Sequence, residues 1–129
     1  MHTLLFLLAA TTAAAAASTK TLYATHYNGT VYTLSLNLDD KNPDHALSIS
    51  SGKDTCGEMP SWLTVDRSTG VLYCSDESGN LTVPGSLTAL STASQGTVEE
   101  IAKVEDVGAG VNSAFYGGES GAAYLAVAH

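Results

Sequence analysis

Residues 21–27 read TLYATHY, residues 71–77 read VLYCSDE and residues 123–129 read AYLAVAH. Each is a short apolar run bearing an aromatic residue, and each turns polar or ends in His at its carboxyl end. Tyr, Val, Leu and Thr suit a pleated, half-buried surface, and the Gly, Asn, Asp and Ser clusters between such runs are turn formers. The three runs begin at positions 21, 71 and 123, giving offsets of 50 and 52 residues. A repeat of about 50 residues lies in the range of β-propeller blades.

The segments around these runs also correspond. After the first comes an Asn28-Gly29 turn, a strand over 30–38 (TVYTLSLNL) and a further one over 46–51. After the second come strands over 86–92 (SLTALST) and 97–104, and before the second and third lie 61–66 (SWLTVD) and 111–117 (VNSAFYG). Hairpins join four strands per repeat, in the order inner, second, third and outer. The expected fold is therefore all-β, a fragment of a β-propeller with about two four-stranded antiparallel blades plus part of a third. A closed ring needs about four to eight blades, each covered by its neighbours. The first copy lacks an inner strand and the sequence stops after a second strand. The expectation is an N-terminal piece of a longer protein or a truncated product, inactive alone, with the remaining blades of the parent propeller as its natural partners.

The first 17 residues, MHTLLFLLAATTAAAAA, carry no acidic side chain, no Lys and no Arg, and end in small residues. That layout is the one of a secretory signal peptide, so residues 1–17 are expected to be a leader, 18–129 the propeller segment, and the localisation extracellular. The run is too short for a membrane span, which needs about 20 apolar residues. Thirteen acids against five Lys and Arg give a formal charge of −8 over 129 residues. Nucleic acid, which requires clustered Lys and Arg, is excluded, and anionic membrane surfaces are disfavoured. Cys56 and Cys74 suit an oxidising compartment as a disulfide, with two buried thiols as the alternative. Asn28-Gly29-Thr30 and Asn80-Leu81-Thr82 match the N-glycosylation acceptor pattern, in turns where a transferase can reach them.

Met59-Pro60-Ser61-Trp62-Leu63, Leu72-Tyr73-Cys74-Ser75-Asp76-Glu77, Gly85-Ser86-Leu87-Thr88 and Tyr124-Leu125-Ala126-Val127-Ala128-His129 resemble the lactonase family of seven-bladed β-propellers. Its members are similar to bacterial 6-phosphogluconolactonase and fungal carboxymuconate cyclase, and the Thr- and Ala-rich start resembles the secreted fungal branch. The resemblance covers residues 20–129, about two sevenths of a seven-bladed ring. It implies a lactonase that hydrolyses or forms a sugar or dicarboxylate-derived lactone, a small-molecule lactone as ligand, and no cofactor. The chain departs from the family wording at Met59, Asp76 and His129, where Asn is frequent.

Strand direction selects the residues that can act together. Second strands end at one rim of a propeller and inner strands start there. That rim gathers His26-Tyr27, Asp76-Glu77 and His129, with Ser61 and Asn112 from the inner strands. Glu77, His129, Asp76 and His26 are the candidate acid–base residues, and Ser61 and Asn112 the candidate substrate contacts. Glu77 or His129 would serve as base, and Asn112 or a backbone N–H would face the oxyanion. For each, a solvated strand end is the simpler structural alternative. A phosphorylated substrate fits poorly, because Arg67 belongs to the opposite rim and Lys53 is the one basic residue expected near the site. There is no G-x-S-x-G, H-E-x-x-H or C-x-x-C, and Gly108-Ala109-Gly110 lacks a third glycine and a following helix, so it reads as a loop. Trp62 suits either stacking on a sugar ring or packing between blades. No metal-ligand spacing is present. The alternative function is a non-catalytic secreted propeller that binds a protein or glycan.

Overall fold

The structure, a computed structural model, describes residues 18–79, 84–94, 96–117 and 123–129. The expected leader and Asn80 lie outside the described residues. Among the described residues, nine strands form three antiparallel sheets. The first contains β1 (Thr19–Thr25), β2 (Thr30–Asn37) and β3 (Leu47–Asp54), paired in that order. The second contains β4 (Pro60–Asp66), β5 (Val71–Asp76), β6 (Gly85–Ser91) and β7 (Glu99–Val107). The third pairs β8 (Asn112–Gly117) with β9 (Ala123–Ala128). This fits the expected propeller fragment, with one four-stranded sheet where about two were expected: the first sheet has three strands and the third two among the described residues.

Several strand boundaries shift from the sequence expectation by one to three residues, and two of these shifts have a clear local cause. The segment 43–46 is a single helical turn, α1 (Pro43–Ala46), and the outer strand starts only at Leu47. Asn42 caps that turn by accepting from the Asp44 N–H at 3.1 Å, and Pro43 stands in its first turn, where a missing N–H costs nothing. The β7 strand runs to Val107, three residues beyond the expected end, because Gly85 pairs with Val107 at the rim.

Side chains alternate across β5 and β6. Leu72 pairs with Leu90 and Cys74 with Thr88, and all four are buried. Thr88 and Cys74 point at the first sheet: the Thr88 hydroxyl lies 3.5 Å from the Thr55 carbonyl, and Cys74 forms a disulfide with Cys56, Cα atoms 6.0 Å apart. The core is Val31, Cys56, Leu72, Cys74, Leu90 and Val98, with Tyr23 and Leu63 against it. The opposite face of β5 meets the third sheet, where Tyr73 packs edge-on against Phe115 with ring centroids 5.6 Å apart. Polar contacts complete that seam. Trp62 donates its indole N–H to the Ser113 carbonyl at 3.1 Å, and the Thr64 hydroxyl donates to the same carbonyl at 2.8 Å. Trp62 therefore bridges the second and third sheets.

The sheets place the ends of β1, β5 and β9 on one rim. Pro60 at the start of β4 pairs with Asp76 at the end of β5, and Asn112 pairs with Ala128. That is the strand polarity on which the candidate site depends.

Candidate functional site

Three residues occupy equivalent places just beyond the second strands: Tyr27 after β1, Glu77 after β5 and His129 after β9. The Tyr27 hydroxyl donates to Glu77 Oε1 at 2.6 Å, joining the rims of the first two sheets. The bond to Glu77, and then the negative charge of that carboxylate, push the Tyr27 phenol above its ordinary value, since both favour the neutral form. Glu77 is half-buried, and its own N–H donates to the Met59 carbonyl at 3.0 Å, which fixes the backbone beneath the carboxylate. His26, adjacent to Tyr27, is exposed, and its backbone N–H closes the turn onto the Thr30 carbonyl.

Asp76 has a different setting. It is 3% exposed, and four donors converge on it. The Met59 and Ser78 N–H groups reach Oδ1 at 3.1 and 3.0 Å, and the Ser78 and Ser86 hydroxyls reach Oδ2 at 2.7 and 3.1 Å. Burial pushes its carboxyl up, but the bonds from Ser78, Met59 and Ser86 together outweigh this and leave it below the ordinary carboxylate range. Gly57, at φ +77°, lies directly against this carboxylate, where any Cβ would collide with it. Asp76 therefore fastens the connector before β4 to the ends of β5 and β6, and its acceptor sites are taken.

Ser61 also has a structural engagement, since its hydroxyl donates to the Gly110 carbonyl at 2.8 Å. Asn112 is exposed at the start of β8. Asn28 is exposed in the turn after β1, with its side-chain oxygen accepting from the Thr30 N–H at 3.1 Å. Among the described residues no group of three His, Cys, Asp or Glu side chains is placed to hold a metal ion, and no helix is long and apolar enough to cross a membrane.

A pocket of about 200 Å³ opens at this rim between the second and third sheets. Ser86 and Leu87 of β6, Val107 at the end of β7, Gly108, Val127 of β9 and His129 line it. Gly108 passes under the His129 ring so closely that a Cβ there would sit 2.7 Å from Nδ1. The rim thus offers a carboxylate oriented by a phenol between the first two sheets and, between the second and third, an imidazole over a small, mostly aliphatic pocket. Such a set can hold an uncharged ring and move a proton to or from water.

The structure brings together Glu77 with Tyr27, and His129 with Ser86 and Gly108. It places Asp76 in the scaffold behind them and leaves His26 and Asn112 in solvent. Tyr27 was expected at this rim but given no chemical role, and the aliphatic pocket walls were not among the sequence candidates. The signal for Tyr27 was present, since it stands 50 positions before Glu77, one repeat away.

The family described as "Lactonase, 7-bladed beta-propeller" matches this chain over residues 20–129. No curated protein and no solved structure gives a match.

Proposed function

The chain belongs to the seven-bladed β-propeller lactonase family, and we propose that its rim serves lactone hydrolysis, with Glu77 as general base. Water attacks the lactone carbonyl carbon while Glu77 takes its proton. The new C–O bond gives a tetrahedral oxyanion, which collapses with cleavage of the ring C–O bond. The ring oxygen leaves with a proton from His129 or water, and the product is a hydroxy acid. Tyr27 is a positioning residue, because its hydroxyl holds one oxygen of Glu77 and aims the other. The observation that carries this reading is the Tyr27–Glu77 bond between two sheets at the rim where His129 also ends.

Three sheets do not encircle a channel, so turnover by the chain alone is expected to be far below that of a closed ring, whose site draws on several blades held at fixed distances. Secretion, with cleavage after residue 17 and glycans at Asn28 and Asn80, belongs to the same proposal and rests on the sequence motifs.

One observation favours a second reading, binding without turnover. Asp76, the other rim carboxylate, has its oxygens engaged by four donors, so it is not available to Glu77 as an acidic partner. The test is hydrolysis of a panel of lactones by the chain, with Glu77→Gln and Tyr27→Phe alongside. Loss of enzyme-dependent turnover in Glu77→Gln with ligand binding retained supports the hydrolase. Binding with no turnover in any variant supports the second reading.

A further inference from the structure

The pocket under His129 has a chemical character that narrows the ligand. Its walls are the aliphatic side chains of Leu87, Val107 and Val127, and its polar groups are the Ser86 hydroxyl, the His129 imidazole and the backbone at Gly108. The Ser86 hydroxyl already donates to Asp76, so it meets a ligand as an acceptor. At about 200 Å³ the space is smaller than the sites of about 300–1,000 Å³ that take drug-sized ligands, and it suits a single small ring.

Charge points the same way. All five Lys and Arg of the chain lie in described segments, and none lines this pocket. Lys20 stands at the end of β1 remote from Glu77, and Arg67 in the turn after β4 and Lys41 after β2 lie at that same far end. Lys53 is paired with Glu99 at 2.5 Å, and Lys103 lies 4.0 Å from Glu105. A phosphate or carboxylate needs bidentate or multiple cationic donors, and it would enter here against a net charge of −8. A polyhydroxylated ring would bury hydroxyls against Leu87, Val107 and Val127 without partners, and each unsatisfied group would weaken its binding.

Resting on the lactonase reading above, we propose that this pocket holds an uncharged, alkyl-faced five- or six-membered lactone, its ring between Val107 and Val127 and its carbonyl oxygen toward the His129 imidazole. The glycine at 108 is then a specificity determinant, because its missing side chain leaves room for the imidazole above the pocket.

The test uses the full 129-residue chain and three ring-matched, hydrolysis-resistant lactams: δ-valerolactam, gluconolactam and gluconolactam 6-phosphate. Binding is followed through the His129 ring signals by NMR. The expected result is saturable shifts with δ-valerolactam at a Kd at least about tenfold below the other two, a difference of about 1.4 kcal/mol. Gly108→Ala, and Val107→Leu as a variant that leaves the connector intact, should each weaken that binding about tenfold. Equal or tighter binding of either hydroxylated lactam at His129 overturns the ligand class and leaves the lactonase reading standing. Shifts at Tyr27 and Glu77 with none at His129 overturn the pocket alone. Shifts at neither place overturn both.

Discussion

The first and second sheets carry the same strand motif in different surroundings. Residues 21–27 and 71–77 align position by position, with Leu22 matching Leu72, Tyr23 matching Tyr73 and Tyr27 matching Glu77. Leu72 is 2% exposed and Leu22 is 40% exposed. The β5 strand is paired on both edges, while the inner edge of β1 has no partner among the described residues. One face of β5 meets the first sheet and the other the third. Among the described residues, no sheet covers the face of β1 that carries Leu22 in the same way. Hydrophobic burial follows from what lies opposite a side chain, so identical residues in equivalent strands contribute unequally.

The largest expected contrast tests that inequality directly. Leu72→Ala should destabilise the chain by about 2–5 kcal/mol through lost transfer energy and a cavity, and Leu22→Ala by less than about 1 kcal/mol. Urea unfolding of both variants decides it, and equal costs would mean that Leu22 is covered in solution. Next is the bridge between the two sheets. Replacing Cys56 and Cys74 by Ser should cost roughly 3 kcal/mol, as expected for opening a loop of about 19 residues. The comparison is the same urea midpoint with and without reductant.

A smaller effect separates the matched positions His26 and Asp76. Asp76→Asn should cost about 2 kcal/mol, because charge-assisted bonds from Met59, Ser78 and Ser86 are weakened, whereas His26→Asn should be near neutral. Asp76 has a lowered folded pKa, so its contribution is fully present above the ordinary carboxylate value of about 3.9. It is lost as pH falls through the lowered value. Acid unfolding should therefore shift to higher pH in the wild type than in a chain whose Asp76 is already Asn only if this sign is wrong; the expected outcome is a flatter acid limb in Asp76→Asn.

The smallest expected effect sits on the contact that joins the two rims. The Tyr27 phenol should titrate above the usual tyrosine value of about 10, and Glu77→Gln should bring it back down. Because the folded pKa is raised, the contribution of this pair is present below the ordinary phenol value and lost as pH rises through the folded one. Ultraviolet difference titration of the two chains measures it, and an unshifted Tyr27 would break the Tyr27–Glu77 link between the sheets.

Much of this architecture is legible in the sequence. The Tyr-bearing strands, their spacing and the turn clusters located all nine strands, because alternation and turn chemistry are local properties of the chain. The strand order also placed Glu77 and His129 at one rim. The helical turn at Pro43–Ala46 was missed because its cap, Asn42, sits in a cluster that looks like any polar loop. The site was only half legible. Gly108-Ala109-Gly110 reads as a loop in sequence, yet it passes beneath His129 and forms part of a pocket.

By itself the sequence determined the all-β class, the repeat of about 50 residues, the strand polarity and the acidic charge, which disfavours anionic partners. These depend on residue type and spacing along one chain. The tertiary structure alone decided which of two adjacent carboxylates is free. Asp76 and Glu77 are neighbours in sequence and equally plausible as acids, but alternation turns Asp76 inward to four donors and leaves Glu77 at the rim beside Tyr27. It decided likewise that Cys56 and Cys74 come close enough to bond. The first outcome depends on how the connector before β4 and the neighbouring ends of β5 and β6 close around one carboxylate, and the second on where that connector lies against β5; residue type along the chain fixes neither.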